Sequence, residues 1–162
     1  MIILGIDPGL SGGLCCFDEN TIEAVDIPTH GEGAKRRVDA LSVRRFIKSW
    51  QPDMAFIERS GAFPGQGLAS TFNYARAVGA LEAAVACSEI PMTIVEPSVW
   101  KRALGLPGGA ENKEAARQRA IQLRPDCGTM FERKKDHGRA EAFLIGYYGA
   151  SMQMGRPMKK AA

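Results

Sequence analysis

The chain has 162 residues, 45% of them hydrophobic and 24% charged, with a formal net charge of +3. These values suit one globular domain with a sizeable core and exclude a disordered chain. No apolar run approaches the roughly 18 residues needed to span a bilayer, so no membrane partner is expected. A net charge this small does not decide for or against a nucleic-acid partner, and the placement of charge matters more. Cys15, Cys16, Cys87 and Cys127 form no CxxC pair. They are expected to be reduced core residues, without a zinc site, in a cytoplasmic protein of a bacterial or phage-infected cell; an organelle is the other compartment considered.

Met1 to Ile6 reads as a buried strand ended by Asp7-Pro8-Gly9. Gly12 to Phe17 and Thr21 to Ile27 read as two more strands, joined at Asp18-Glu19-Asn20 by a hairpin turn. His30 to Arg37 is Gly-rich and basic and predicts a loop. Asp39 to Trp50 is an amphipathic helix with Val43, Phe46, Ile47 and Trp50 on one face. Met54 to Glu58 is a short buried strand, and the Gly/Pro loop Ser60 to Gly67 follows. A long helix is expected from about Leu68 to Ser88. Tyr74, Leu81 and Val85 mark one stripe of it, and the small residues Ala80, Ala83, Ala84 and Cys87 mark a second. That second stripe suits close approach of another helix, from this domain or from a second subunit.

Met92 to Val95 is the last strand. Helices are predicted for Ser98 to Leu104, Asn112 to Leu123 and His137 to Ala150, with Cys127 to Lys135 irregular. Three antiparallel strands followed by strand–helix alternation predict an α/β domain over residues 1–150. Its mixed central sheet carries helices on both faces, in the element order of the RNase H-like fold. A short basic tail occupies residues 151–162.

Asp7 and Glu58 each close a strand, within GIDPG and FIERSG. If these strands are neighbours, both carboxylates reach one edge of the sheet. Two anions brought together there are costly without a counterion, and a divalent cation relieves that cost. The plainer alternatives are a turn-initiating Asp and a solvated Glu. In KKDHGRAEAFLIGYYG, His137 and Glu141 are four apart and share a helix face. Asp136 lies about 140° from Glu141 on an ideal helix, so it joins the same site only by preceding the helix proper, which Gly138 permits. Glu141 could otherwise serve as a helix-dipole partner. Hydrolysis of a phosphodiester needs an activated water and stabilised charge on the phosphoryl and leaving oxygens. Two Mg²⁺ ions held by Asp and Glu oxygens supply both.

Lys101, in VEPSVWK, could reach a phosphate at this edge. Lys113 and Arg117 are four apart on a helix, and Arg124 continues that face; they read as phosphate contacts or as a solvated face. Arg133, Lys134 and Lys135 adjoin the acidic cluster, which suits a polyanionic substrate.

Taken in order, GIDPGLSGG, FIERSG, VEPSVWKRALGLPGGAENKEAARQRA and DHGRAEAFLIGYYG resemble the RuvC-like Holliday junction resolvases over about Ile2 to Gly149. The last motif is most similar to phage-type and chloroplast members. The resemblance implies a homodimer that nicks a four-way DNA junction symmetrically with Mg²⁺ or Mn²⁺. By motif, Asp7, Glu58 and Glu141 match acidic ligands, Lys101 the lysine of the third motif, and Lys113 that of the following helix. The family's other acid stands three residues before the last, where this chain has Gly138. Asp136 or His137 must then fill that role, and Asp136 is favoured. In the GAFPGQG loop, Phe63 is the expected wedge against unstacked bases and Gln66 a base reader. Three other readings compete: a different RNase H-fold nuclease acting on flaps or RNA–DNA hybrids, a non-catalytic binder of branched DNA, and a phosphotransferase for which the chain is too short.

Overall fold

Asp7 ends the central strand of a five-stranded sheet, and the strand order explains why. The computed structural model describes residues 1–61, 65–107 and 112–155. Strands β1 (Ile3–Asp7), β2 (Gly13–Phe17) and β3 (Ile22–Asp26) form an antiparallel meander. A two-residue ladder, β4 (Thr29–His30) with β5 (Arg37–Val38), follows where a loop was expected. Arg36 holds this excursion down by donating to Thr29 Oγ1 and to the Leu10 carbonyl. Helix α1 (Ala40–Trp50) starts at Asp39, whose side chain accepts from the Ser42 N–H. It ends at Gln51 in a left-handed conformation.

Strand β6 (Met54–Glu58) pairs with β1 in parallel, and β7 (Met92–Val95) pairs with β6 in parallel, giving the order β3-β2-β1-β6-β7. Helix α2 (Leu68–Ala86) connects β6 to β7. Helices α3 (Pro97–Ala103), α4 (Asn112–Leu123) and α5 (His137–Gln153) follow, with 3₁₀ turns at Pro125–Phe131 and Lys134–Asp136 inside the stretch expected to be irregular. The last helix therefore runs three residues past its expected end.

The sheet has a core on each face. Leu4, Ile6, Leu14, Cys16, Ala55 and Ile57 pack against α1 and α2, while Ile3, Cys15, Phe17 and Phe56 pack against α3, α4 and α5. Cys15 and Cys16 divide between the two cores, as period-2 alternation requires. Cys87, expected in the core, is exposed at the end of α2. The small-residue stripe of α2 also divides: Ala84 is buried against the sheet, whereas Ala83 and Cys87 face outward. No described helix is long and apolar enough to cross a membrane.

Candidate active site

In the β1–β6 register Ile6 lies opposite Ile57. Asp7 and Glu58 therefore follow at the same level on strands about 4.8 Å apart. Both stand at the C-terminal edge, where parallel strands leave a crevice for ligands. Helix α5 crosses this sheet directly and brings Glu141 to the same place. The crossing depends on glycine: a Cβ on Gly5 would stand 2.0 Å from the Ala142 carbonyl oxygen, and one on Gly13 2.5 Å from that of Gly138.

The three carboxylates feel one another. Burial pushes Asp7 well above the usual carboxylate range, and the charges of Glu141 and Glu58 push it further, against Lys101 and Lys113. Burial also raises Glu141, opposed by Lys101, His137 and Lys113. Glu58 is raised by burial and by Glu141, although Lys101 and a hydrogen bond from Trp100 pull it down. Lys101 Nζ stands 3.8 Å from Glu58 Oε2. Among the described residues no hydrogen bond or ion pair engages the carboxylate of Asp7 or of Glu141. Partly desolvated, mutually repelling hard-oxygen donors of this kind fit a divalent cation. Among the described residues no group of three or more His, Cys, Asp or Glu side chains is gathered closely enough to hold a metal ion as it stands.

Asp136 and His137 separate here. The Asp136 side chain is fully buried, and its carboxylate accepts from the Arg133 backbone N–H, Nε and Nη2, with Arg139 Nη1 at 3.8 Å. Burial alone would raise it, but the Arg133 hydrogen bonds and the two guanidinium charges bring it below the usual range. Asp136, the favoured candidate, thus already has two arginine partners. His137 instead lies in the field of Glu141. Its Nδ1 is 3.2 Å from the Lys134 carbonyl oxygen, which can only accept. Nδ1 is then the donor, which leaves Nε2 as the nitrogen that a cation could engage once it carries no proton, the arrangement by which a carbonyl orients a metal-binding imidazole.

Of the expected DNA contacts, Lys113, Lys134 and Lys135 are exposed. Arg117 is not: it is 6% exposed and turns inward to donate to the Phe131 and Glu132 carbonyls and to Glu114. Its expected place on a phosphate-binding face is therefore overturned, because it satisfies carbonyl groups of the following 3₁₀ turn. Arg124 is likewise buried, bound to Asp126 and the Asp18 carbonyl. Gln66 Nε2 lies 3.4 Å from Ser70 Oγ at the start of α2. Phe63 lies outside the described residues.

Two residues near the site carried no expected role. Trp100 was read only as part of a helix, and Tyr74 only as part of an apolar stripe. The Tyr74 hydroxyl stands 3.1 Å from Ser60 Oγ. Burial raises Tyr74, and the charges of Asp7 and Glu58 raise it further.

Relatives of known name share this chain's sequence. It is 31% identical over 121 residues to the crossover junction endodeoxyribonuclease RuvC of Corynebacterium diphtheriae, covering 68% of this chain and 73% of that protein. The chain belongs to the RuvC family. It is also 30% identical to RuvC of Synechococcus sp. (strain CC9902), covering 70% of this chain and 78% of the relative. No family model matches the sequence. In three dimensions it resembles T. thermophilus RuvC in complex with Holliday junction substrate, with a TM-score of 0.68 and 19% identity over 98% of this chain and 100% of that one. The yeast mitochondrial Holliday junction resolvase Ydc2 matches at a TM-score of 0.53 and 16% identity, over 95% of this chain and 82% of that one. These structural likenesses support the RNase H-like fold expected from the order of strands and helices.

Proposed function

We propose that this RuvC-family chain is a metal-dependent endonuclease that resolves four-way DNA junctions by paired symmetric nicks. The observation that carries the proposal is the shared field of Asp7, Glu58 and Glu141 at the C-terminal edge of β1 and β6, bordered by Lys101 and Lys113. In this reading Asp7, Glu58 and Glu141, with Nε2 of His137, hold Mg²⁺ or Mn²⁺, as two ions. Bound metal supplies a Lewis acid for the phosphoryl oxygens and acidifies a water. The chain's own residues do the rest. Lys101 places a positive charge beside the scissile phosphate, and exposed Lys113, Lys134 and Lys135 hold neighbouring phosphates. Asp136 belongs to the scaffold. Residues 1–150 constitute the nuclease domain, in a cytoplasmic protein.

Paired nicks require two active sites, and α2 supplies a surface for a second copy. Leu68, Phe72, Ala75, Gly79 and Ala83 recur at helical spacing and are exposed, Leu68 at 90% and Phe72 at 62%. A homodimer through this stripe buries them.

The deciding experiment is cleavage of a synthetic mobile four-way junction with Mg²⁺ or with EDTA, beside duplex, flap and RNA–DNA hybrid controls. Metal-dependent, symmetric nicks in the junction alone are expected. Nicking of a control instead would discard the substrate and keep the chemistry. Tight junction binding with no cleavage would mean a non-catalytic binder.

A further inference from the structure

We propose that Trp100 is a positioning residue that ties Oε2 of Glu58 to the protein, so that Oε1 alone is presented to a divalent cation. This rests on the metal-dependent reading above.

Helix α3 begins at Pro97, directly after Glu96, so its register relative to the end of β7 is fixed by a proline at the first turn. Successive helical residues are about 100° apart. Trp100 therefore enters the core, where it is 0% exposed, while Lys101 stays at the edge of the site. A buried indole N–H can only donate and must find an acceptor. Trp100 Nε1 finds Glu58 Oε2 at 2.7 Å. The same oxygen is the one that Lys101 Nζ approaches at 3.8 Å, and that ammonium sits 5.1 Å from the centroid of the Trp100 ring. One side chain thus places both the acid and the base of the motif. Both donors fall on one carboxylate oxygen, and Oε1 has no hydrogen-bond or ion-pair partner among the described residues.

This matters because the terminal torsion of a glutamate is broad and loosely held. A free carboxylate must be ordered when the cation arrives and could bind through one oxygen or two. A small cation with strict octahedral demands is served better by a single fixed oxygen. Loss of the partner that orients a ligand typically weakens metal binding about 10–100-fold.

The test uses metal binding without DNA. The chain has two tryptophans, so in a Trp50→Phe background position 100 can be filled with β-(3-benzothienyl)alanine, which keeps the bicyclic shape and lacks the N–H. Trp100→Phe is the genetic counterpart. Mn²⁺ affinity is read by titration calorimetry, four-way-junction affinity in EDTA, and the Mn²⁺ concentration giving half-maximal nicking. The expected result is Mn²⁺ affinity about 10–100-fold weaker and a matching rise in the half-saturating Mn²⁺ concentration, with junction affinity in EDTA unchanged. Unchanged Mn²⁺ affinity in the benzothienyl protein would overturn the role of Trp100 while leaving the metal site standing. Absence of Mn²⁺ binding in the Trp50→Phe control itself would overturn both.

Discussion

Gly138 of α5 rests backbone to backbone on Gly12 in the turn after β1. A Cβ at position 138 would lie 2.7 Å from both the Gly12 carbonyl carbon and the Ser11 oxygen. The RuvC-like pattern has an acid at this position, and here no side chain fits. Gly138→Asp, which restores that acid on paper, is therefore expected to destabilise the protein by about 2 kcal/mol or more, lowering Tm by roughly 4 °C or more for a chain of this size. It should not improve nicking. Thermal unfolding beside junction cleavage checks this, and a fully stable Gly138→Asp protein would refute the close contact.

Asp7 gives a prediction with opposite signs in two measurements. Its folded-state pKa is raised by burial, Glu141 and Glu58, so the folded protein holds a proton that the unfolded chain has released. Between the ordinary carboxylate value and the raised one, apo stability falls as pH rises. Asp7→Asn should thus be more stable than wild type in EDTA at pH 7, by about 2–4 °C in Tm for each kcal/mol relieved. The gain should vanish toward pH 3–4, roughly where an unfolded Asp titrates. Added Mg²⁺ should stabilise wild type and not the variant. Nicking should be lost in Asp7→Asn with junction binding retained. In wild type, nicking should rise with pH through the same window, because protonated acids are poor ligands.

The arrangement of Asp7, Glu58 and Glu141 was legible in the sequence because strand ends and a helix face are periodic features. A strand-end acid and an i,i+4 pair can be placed without coordinates. The choice between Asp136 and His137 was not legible, because spacing carries no information about which neighbour claims a carboxylate. Arg133, itself exposed, folds over the buried Asp136 and pairs with its carboxylate, and Arg133 looks from sequence like any cation beside an acidic site. Arg117 misled for the same reason, since helix periodicity placed it with Lys113 while the carbonyls of the 125–131 turn drew it inward. Trp100 stayed invisible because an apolar-looking residue announces packing, not the donor on its ring edge.

Lys113 and Arg117 should accordingly behave differently when truncated. Lys113 is exposed and faces the site, so Lys113→Ala should weaken junction binding and lower the slope of log K against log salt by about 1, with unchanged Tm. Arg117→Ala should leave the salt slope alone and cost about 1.5–3 kcal/mol of stability, because buried carbonyl groups lose a charged donor. Fluorescence-anisotropy titrations at several salt concentrations, paired with thermal melts, separate the two. A reduced salt slope in Arg117→Ala would return that residue to the DNA surface.

The exposed stripe on α2 should govern assembly. Phe72→Glu puts a charge among Leu68, Ala75 and Gly79, where wild type would bury apolar area against a second copy. Sedimentation equilibrium should show a wild-type dimer and a monomeric variant that keeps its fold. The monomer should bind Mn²⁺ normally while losing coordinated paired nicking. A Phe72→Glu dimer would remove α2 from the interface.

Asp136 and His137 are adjacent, and their variants should fail in different ways. Asp136 is held below the usual carboxylate range by Arg133 and Arg139 once burial is outweighed. Its contribution to stability is therefore present above the ordinary Asp value of about 3.9 and is lost as pH falls through the lowered folded value. Asp136→Asn should cost on the order of 2–4 kcal/mol at pH 7, with the deficit shrinking in acid, and should leave Mn²⁺ affinity within a few-fold of wild type at temperatures where the variant is folded. His137→Ala removes a half-exposed ring whose only hydrogen bond among the described residues is to Lys134 O, so its Tm in EDTA should change little. Its Mn²⁺ affinity should fall about 10-fold or more, as loss of an imidazole ligand or its support requires. Since the cation then binds through carboxylates alone, excess Mn²⁺ should rescue nicking in His137→Ala, whereas no metal concentration should restore the stability of Asp136→Asn beyond the gain wild type shows. The reverse pattern, a stable Asp136→Asn with weak Mn²⁺ binding, would return Asp136 to the metal site.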